Sequence, residues 1–506
     1  MPRVVSFVFL VLCGQWSAFA DLQPAKIFSD HMVLQRDAAV PVWGRADAEA
    51  PVTVAFADQS VTTKADEGGR WKLKLDPMVA SATGRSLEIS SGTRKVTIRD
   101  VLVGDVWFAG GQSNMDYKVQ GMARRLPEGK ALAEAANYSA IRHRKVSEKS
   151  APRPQADLTG GSWVVCTPQS VYGFSGVAFV FARRLHVELK VPVGIIDCAW
   201  GGTPIEPYVP ASAFKGHPTL AELAKYAKAG DLEAIRKMSG GTWVRSPAWL
   251  PGAIYNGRIA PVAPYGIRGA IWYQAESNSG KGEDPRAYRH KQRALVEGWR
   301  KAFQQERLPF YFVQLPQWKS YAWTYAREEQ LRAMEVAGTG MVVTIDLDNA
   351  NDIHPPNKID VGERLALWPL AKLYGKKIPF SGPLFREVEI RGTETIVRFD
   401  YAEEGLIAGR IKSIGKIVEV KDGDLNGFEL ADMDGVWHPA KAKVKGRTVL
   451  VKSLRVGRPV AVRYACHPEA PEGRPWNLYG KSGLPASPFC SDWGLMPYDP
   501  AENPMR

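Results

Sequence analysis

The chain has 506 residues, with 66 Lys and Arg against 53 Asp and Glu for a formal charge of +13, and it is 45% apolar and 24% charged. That length exceeds what one hydrophobic core organises, and the composition is that of a globular protein, which excludes a fibrous or disordered chain. The basic residues are scattered and no nucleic-acid-binding motif accompanies them, so the charge points to solubility and to no nucleic-acid partner.

The first element is Arg3, an apolar run from Val4 to Cys13 and the small-residue pattern Ala18-Phe19-Ala20, the build of a cleavable secretory signal over 1–20. The run is shorter than the ~20 apolar residues a spanning helix requires. The mature chain is therefore expected to begin near Asp21 with no membrane anchor, and to be secreted or periplasmic; losing Arg3 takes the formal charge from +13 to +12. Its four cysteines, Cys166, Cys198, Cys466 and Cys490, are too widely spaced for a zinc motif. An oxidising compartment leaves two readings of them, one or two disulfides or buried thiols.

Residues 21–100 alternate short apolar runs with turn residues, as in Val40–Gly44, Val52–Phe56 and Trp71–Leu75, which predicts a small β-sandwich. From Val101 to about Lys377 the texture changes. Strand-like runs at Asp105–Phe108, Val193–Ile196, Ala270–Tyr273, Phe310–Val313 and Val342–Ile345 alternate with helical patterns at Ala178–Leu189, Tyr288–Gln304 and Val361–Leu373, the last kinked at Pro369. This alternation predicts an α/β domain with a parallel sheet and its chemistry in the loops after the strands. Residues 378–506 revert to short strands, among them Val388–Ile390, Thr395–Phe399, Val449–Val451 and Val460–Tyr464, a second β-sandwich.

Four segments of the middle region carry groups suited to acyl chemistry, although each alone is also the pattern of an ordinary turn. Gly104 to Met115 is an apolar strand ending in Gly110-Gly111-Gln112-Ser113-Asn114. Glycines permit a tight turn and close approach of a substrate, and a serine there can attack a carbonyl while its own N–H helps hold the oxyanion. Ile195 to Pro204 is a second strand followed by Gly201-Gly202, where a backbone N–H lies bare. Ile271 to Asn278 sets Gln274, Glu276 and Asn278 directly after a strand; an amide can donate to an oxyanion and an acid can hold the loop. Asp346 to Pro355 places His354 among carboxylates, with Asp352 two residues away, the setting of a general base whose tautomer an acid fixes. With one histidine in that loop a metal is not expected, and its Asp and Asn oxygens leave only calcium as a candidate.

Taken in order, the four segments resemble the serine, glycine, amide and histidine blocks of the SGNH hydrolases, and more closely the sialate O-acetylesterase family. Phe28-Ser-Asp-His-Met-Val-Leu-Gln-Arg36, Trp200-Gly-Gly-Thr-Pro-Ile-Glu206, Tyr255-Asn-Gly-Arg-Ile-Ala-Pro261 and Asn477 to Phe489 extend the resemblance over nearly the whole mature chain. It implies a flavodoxin-like three-layer α/β domain between two β-sandwiches, and a serine esterase acting without a cofactor on an O-acetylated carbohydrate. By the same resemblance Ser113 is the nucleophile and His354 the base, with Asp352 as the candidate orienting acid. The oxyanion hole would be the Ser113 N–H, a glycine N–H at Gly202 and the Gln274 amide, with Gln112, Asn114, Glu276 and Asn278 binding substrate or supporting the loops. Two positions depart from the pattern: Ala275 stands where the family carries glycine, and Asn351 where the wider class places an aspartate three residues before the histidine. Sialoglycan and hemicellulose both stay open as substrate, with Arg268, Arg289 and Arg327 as candidates for a sialic acid carboxylate and Trp318, Trp323 and Trp476 for sugar stacking. A secreted carbohydrate-binding protein with a decayed esterase site is the reading from another class.

Overall fold

The computed structural model describes residues 21–214, 218–238, 249–280, 283–347, 350–421 and 423–502, so the expected signal over 1–20 lies outside the described residues. The protein is mixed α/β, with several sheets. Strands β1 (Arg94–Gly111), β2 (Tyr138–Lys145), β3 (Val193–Asp197), β4 (Gly269–Tyr273), β5 (Phe310–Val313) and β6 (Thr339–Val342) form a parallel array in the order β2-β3-β1-β4-β5-β6, edged by the antiparallel Val164–Cys166.

Every residue of β3, β4 and β5 is buried, the signature of parallel strands covered on both faces. Helices α1 (Ser113–Asp116), α2 (Gly176–Leu189), α3 (Tyr288–Ala302), α4 (Tyr321–Arg332) and α5 (Lys358–Lys372) are interleaved with these strands along the chain. Ser175 caps α2 by accepting from the Ala178 N–H at 3.2 Å, and Asn357 caps α5 through the Asp360 N–H at 3.1 Å. The two helices meet where Gly362 lacks a side chain, since a Cβ there would lie 2.6 Å from Val180 Cβ.

β1 is one continuous strand of 18 residues. Its first half pairs antiparallel with Ser81–Ser91, and its second half runs between β3 and β4. The boundary expected at 100/101 thus falls inside a strand. What changes there is burial, from partial to complete on both faces. Where β1 enters the parallel array, fully buried Asp105 accepts from Arg36 (3.0 Å twice), Arg268 (2.9 Å) and the Tyr374 hydroxyl (2.9 Å). This carboxylate ties the N-terminal strands, the central sheet and the turn after α5 together.

Beyond Gly382 the described strands pair antiparallel in three small sheets, which include Leu384–Arg391, Leu406–Ser413 and Phe428–Ala431. Among the described residues the four cysteines, Cys166, Cys198, Cys466 and Cys490, are buried free thiols, which favours the second of the two readings left by the sequence. No helix among the described residues is long and apolar enough to cross a membrane.

Candidate active site

Strand order reverses around β1, which has β3 on one side and β4 on the other; a crevice opens at the carboxyl ends of strands at such a point. The ends are level: Ala109 is in register with Asp197, Asp197 with Lys145, and Gly111 with Tyr273. The four expected blocks leave from this edge. Gly111 has φ +135°, and a Cβ on it would stand 2.1 Å from the Tyr273 carbonyl oxygen, so only glycine allows the chain to turn into Ser113 there.

Ser113 and His354, 241 residues apart, come together with His354 Nε2 2.8 Å from Ser113 Oγ. A hydroxyl held on an imidazole nitrogen at that distance can pass its proton to the ring as it attacks. Burial and the Lys358 ammonium lower the His354 pKa, with Arg125 adding to them and Asp352 opposing.

The Asp352 carboxylate is placed differently from expectation. It accepts from the backbone N–H of His354 at 2.8 Å and from Arg125, and among the described residues its hydrogen bonds do not reach the imidazole. Burial opposes its ionisation, yet these two donors and their charges hold its carboxyl below the usual value. Two residues of separation along the chain suit a side-chain-to-backbone turn better than a bond to the ring of the same loop.

Asn114 joins three blocks from full burial. Its amide nitrogen donates to Glu276 (2.6 Å) and to the carbonyl of Ile353 (2.9 Å), and its oxygen accepts from Lys358 at 2.5 Å. Burial raises the Glu276 pKa against these partners. Gly201 faces the serine, a Cβ there lying 3.7 Å from Ser113 Cβ, and Gly202 turns at φ +74° under Trp249.

Gln274 spends its side chain on partners inside the core, one of them Gln112 beside the serine. It is fully buried, and its Nε2 donates to Gln112 Oε1 (3.0 Å) and Asn278 Oδ1 (2.8 Å) while Oε1 accepts from the Tyr288 hydroxyl at 2.8 Å. An amide has two N–H donors, and both are taken. Asn278 in turn donates to Glu206 and Glu283, whose carboxylates share the buried ammonium of Lys291 at 2.6 and 2.8 Å. Burial, with the Glu206 carboxylate beside it, raises the Glu283 pKa against the pull of Lys291.

Arg268 is committed to Asp105, which is six residues before Gly111, roughly 20 Å away at the ~3.3 Å rise of a strand. Arg289 pairs with Glu329 at 3.2 Å, and fully buried Arg327 donates to the carbonyls of His467 and Pro468 and lies over Trp476. Trp323 and Trp476 are core residues at 2% and 3% exposure. In the Asp/Asn-rich loop, Asp346 is occupied by Arg364 with two contacts of 2.7 Å.

Sequence reasoning missed Lys145. Its ammonium lies 2.5 Å from Asp116 of α1, 3.2 Å from Asp197 and 2.6 Å from the carbonyl of Ala199, and so ties the serine's helix to the glycine turn. The signal was there in Asp197, the one charged residue of an otherwise apolar strand, whereas Lys145 follows Arg142, His143 and Arg144 and does not stand out.

The arrangement has counterparts. A family model described as carbohydrate esterase, sialic acid-specific acetylesterase, matches residues 103–368. Sialate O-acetylesterase of Rattus norvegicus is 28% identical over 97% of this chain and 98% of its own length, and that of Homo sapiens is 29% identical over 95% of each. The crystal structure of a carbohydrate acetylesterase from Xanthomonas citri superposes with a TM-score of 0.79 at 33% identity, over 93% of this chain and 99% of that one. With a model match that spans the serine, glycine, amide and histidine blocks alike, the chain belongs to the sialic acid-specific acetylesterase family of carbohydrate esterases.

Proposed function

We propose that this protein is a carbohydrate O-acetylesterase working by a Ser113 nucleophile and a His354 base. The observation that carries this reading is the 2.8 Å contact between Ser113 Oγ and His354 Nε2 at the carboxyl edge of the sheet. His354 takes the serine proton as Oγ attacks the acetyl carbonyl. The tetrahedral intermediate then collapses, and the sugar oxygen leaves with the proton from His354. Water, activated by the same imidazole, hydrolyses the acetyl-enzyme and frees Ser113.

The backbone N–H groups of Ser113 and of the Gly201-Gly202 turn are the oxyanion donors in this reading, supported by the approach of Gly201 to Ser113. Gln274 is assigned to positioning, because its amide is spent on Gln112 and Asn278. Asp352 is a positioning acid that fixes the His354 main chain, and Asn114 and Glu276 hold the blocks in register.

The same reading takes the parallel array as a flavodoxin-like SGNH domain of residues 101–377 between β-sandwich units 21–100 and 378–506, in a chain secreted or exported to the periplasm after removal of 1–20. O-acetylated carbohydrate is the substrate class, as the names of the relatives from Rattus norvegicus and Xanthomonas citri suggest. Acetate release from O-acetylated sialic acid and from acetylated xylan and xyloglucan tests it. Wild type should release acetate from at least one and Ser113→Ala from none; a folded wild type inert on all three, and on 4-nitrophenyl acetate, refutes the esterase.

A further inference from the structure

Next to the His354 loop lies a groove of about 970 Å³, lined by Gln317, Lys319, Ala350, Asn351, the segment from His467 to Gly473, and Pro475. This is the upper end of the range for small-molecule clefts, ~300–1,000 Å³, and more than the acetylated sugar of one turnover would fill. Its position is tied to the chemistry. Asn351 precedes His354 by three residues, and at no more than ~3.6 Å per residue the two Cα atoms stand within about 11 Å of each other.

The groove is a built feature. One wall follows β5 and the other comes from the C-terminal strands, and they are fastened to each other: the Ala470 N–H donates to Gln317 Oε1 at 2.8 Å, and the Trp318 N–H to the Pro468 carbonyl at 3.2 Å. Gln317 Nε2 anchors the first wall to the Ile345 carbonyl at 2.6 Å, and the buried Arg327 guanidinium holds the carbonyls of His467 and Pro468 in the second. Pro468, Pro471 and Pro475 fix φ along the second wall, so the groove binds without first being ordered.

Its chemistry selects the ligand. Among the described residues its charged lining is Lys319, Glu469 and Glu472, a net of one negative charge, and His467 is already paired with Glu429 at 2.7 Å. Exposed carboxylates, an amide and an ammonium are hydrogen-bonding groups for hydroxyls. A chain of sialic acids or uronic acids would set its own carboxylates against Glu469 and Glu472.

Resting on the esterase reading above, we propose that this groove holds the unmodified sugar units flanking the acetylated one, and that the glycan is a neutral oligosaccharide or polysaccharide chain. The test compares kcat/KM on chemically O-acetylated neutral tetrasaccharides of the xylose and cellobiose series with that on the matching acetylated monosaccharides, alongside 4-nitrophenyl acetate. For wild type, at least one series should favour the tetrasaccharide tenfold or more, mainly through KM. In Lys319→Ala/Glu472→Ala that preference should collapse toward one, while 4-nitrophenyl acetate hydrolysis keeps its wild-type rate.

A tetrasaccharide preference near one in both series, or one that survives the double variant, overturns the groove assignment. A higher kcat/KM on an acetylated sialo-oligosaccharide than on either neutral series overturns the charge argument. Absence of 4-nitrophenyl acetate hydrolysis by wild type is the separate failure of the esterase reading, and it is seen before any oligosaccharide is compared.

Discussion

His354 meets Ser113 through its ring, at 2.8 Å, but meets Asp352 through its main chain, also at 2.8 Å. The acid thus fixes where the histidine sits in the loop, and Arg125 fixes the acid. A hydrogen bond to a charged group contributes ~1.5–3 kcal/mol. Asp352→Asn should therefore lower kcat by about 10- to 100-fold, short of the ~10⁴-fold loss when an aspartate that orients the imidazole is neutralised. A 10⁴-fold loss in steady-state kinetics would place Asp352 on the ring after all.

The acid limb of the pH profile follows from what surrounds His354. Burial and Lys358 depress its pKa, and a protonated imidazole cannot accept the serine proton. Activity is thus retained below the ordinary histidine value of about 6.5, and falls only as pH drops through the depressed one. Lys358→Met removes a nearby cation and should move the limb of kcat/KM upward in pH, toward 6.5. A midpoint above that value in wild type, or a downward move in the variant, would contradict the assignment.

Lys145 bridges Asp116, Asp197 and the Ala199 carbonyl. Without its ammonium the glycine turn and the serine's helix lose their common tie, and two carboxylates face each other with less compensation. Loss of one oxyanion donor costs ~10²–10³-fold, and a loosened donor should cost less. Lys145→Met is expected to lower kcat by about 10-fold or more with KM little changed. A pure KM effect would show that Lys145 serves ground-state binding instead.

Much of this was legible because parallel strands announce themselves as apolar runs. The runs at 193–196, 270–273 and 310–313 lie within β3, β4 and β5, and the helices expected at 178–189 and 288–304 match α2 and α3 to within about two residues. The strand expected at 342–345 lies three residues earlier, at 339–342, since the apolar run continues past its last ladder bond into the turn. α4 went unread because it is buried on several faces and its aromatic and charged residues show no clean stripe. The helices Pro218–Ala229 and Leu232–Met238 were also unread. In the site, residue types were readable but partners were not. Gln274 looks like a free donor until Asn278, four residues on, and Gln112, 162 residues back, are seen to take its N–H groups.

Gln274→Ala separates the two roles that its sequence position allowed. A direct oxyanion donor can be removed with a loss of rate and little change in stability. The structure instead predicts that truncation removes three buried hydrogen bonds from the core, although the Tyr288 hydroxyl keeps the Gln274 carbonyl, Gln112 Oε1 keeps the Ser277 N–H and Asn278 Oδ1 keeps the Ile205 N–H. Each bond removed contributes ~0.5–1.5 kcal/mol net, so urea unfolding should show a loss of about 2 kcal/mol or more alongside the lower kcat. Unchanged stability with a large kcat loss would return Gln274 to the oxyanion hole.

The last prediction concerns the residue following Gln274. Ala275 has φ +156° and ψ −9°, a backbone conformation that glycine tolerates and side chains rarely adopt, and it stands where the resemblance places glycine. Non-glycine residues held in such regions cost ~1–3 kcal/mol, whereas adding a glycine frees the unfolded chain by only ~0.5–1 kcal/mol. The strain exceeds the entropy, so Ala275→Gly should raise stability by up to about 2 kcal/mol. The loop is held by other bonds: the Asn278 N–H and the Ser279 hydroxyl both donate to the Ala275 carbonyl, at 3.0 and 2.9 Å. Relief of strain should therefore leave kcat on 4-nitrophenyl acetate within about threefold of wild type. If thermal unfolding instead shows Ala275→Gly to be less stable, the methyl contributes packing in this fully buried position that outweighs the strain of its backbone.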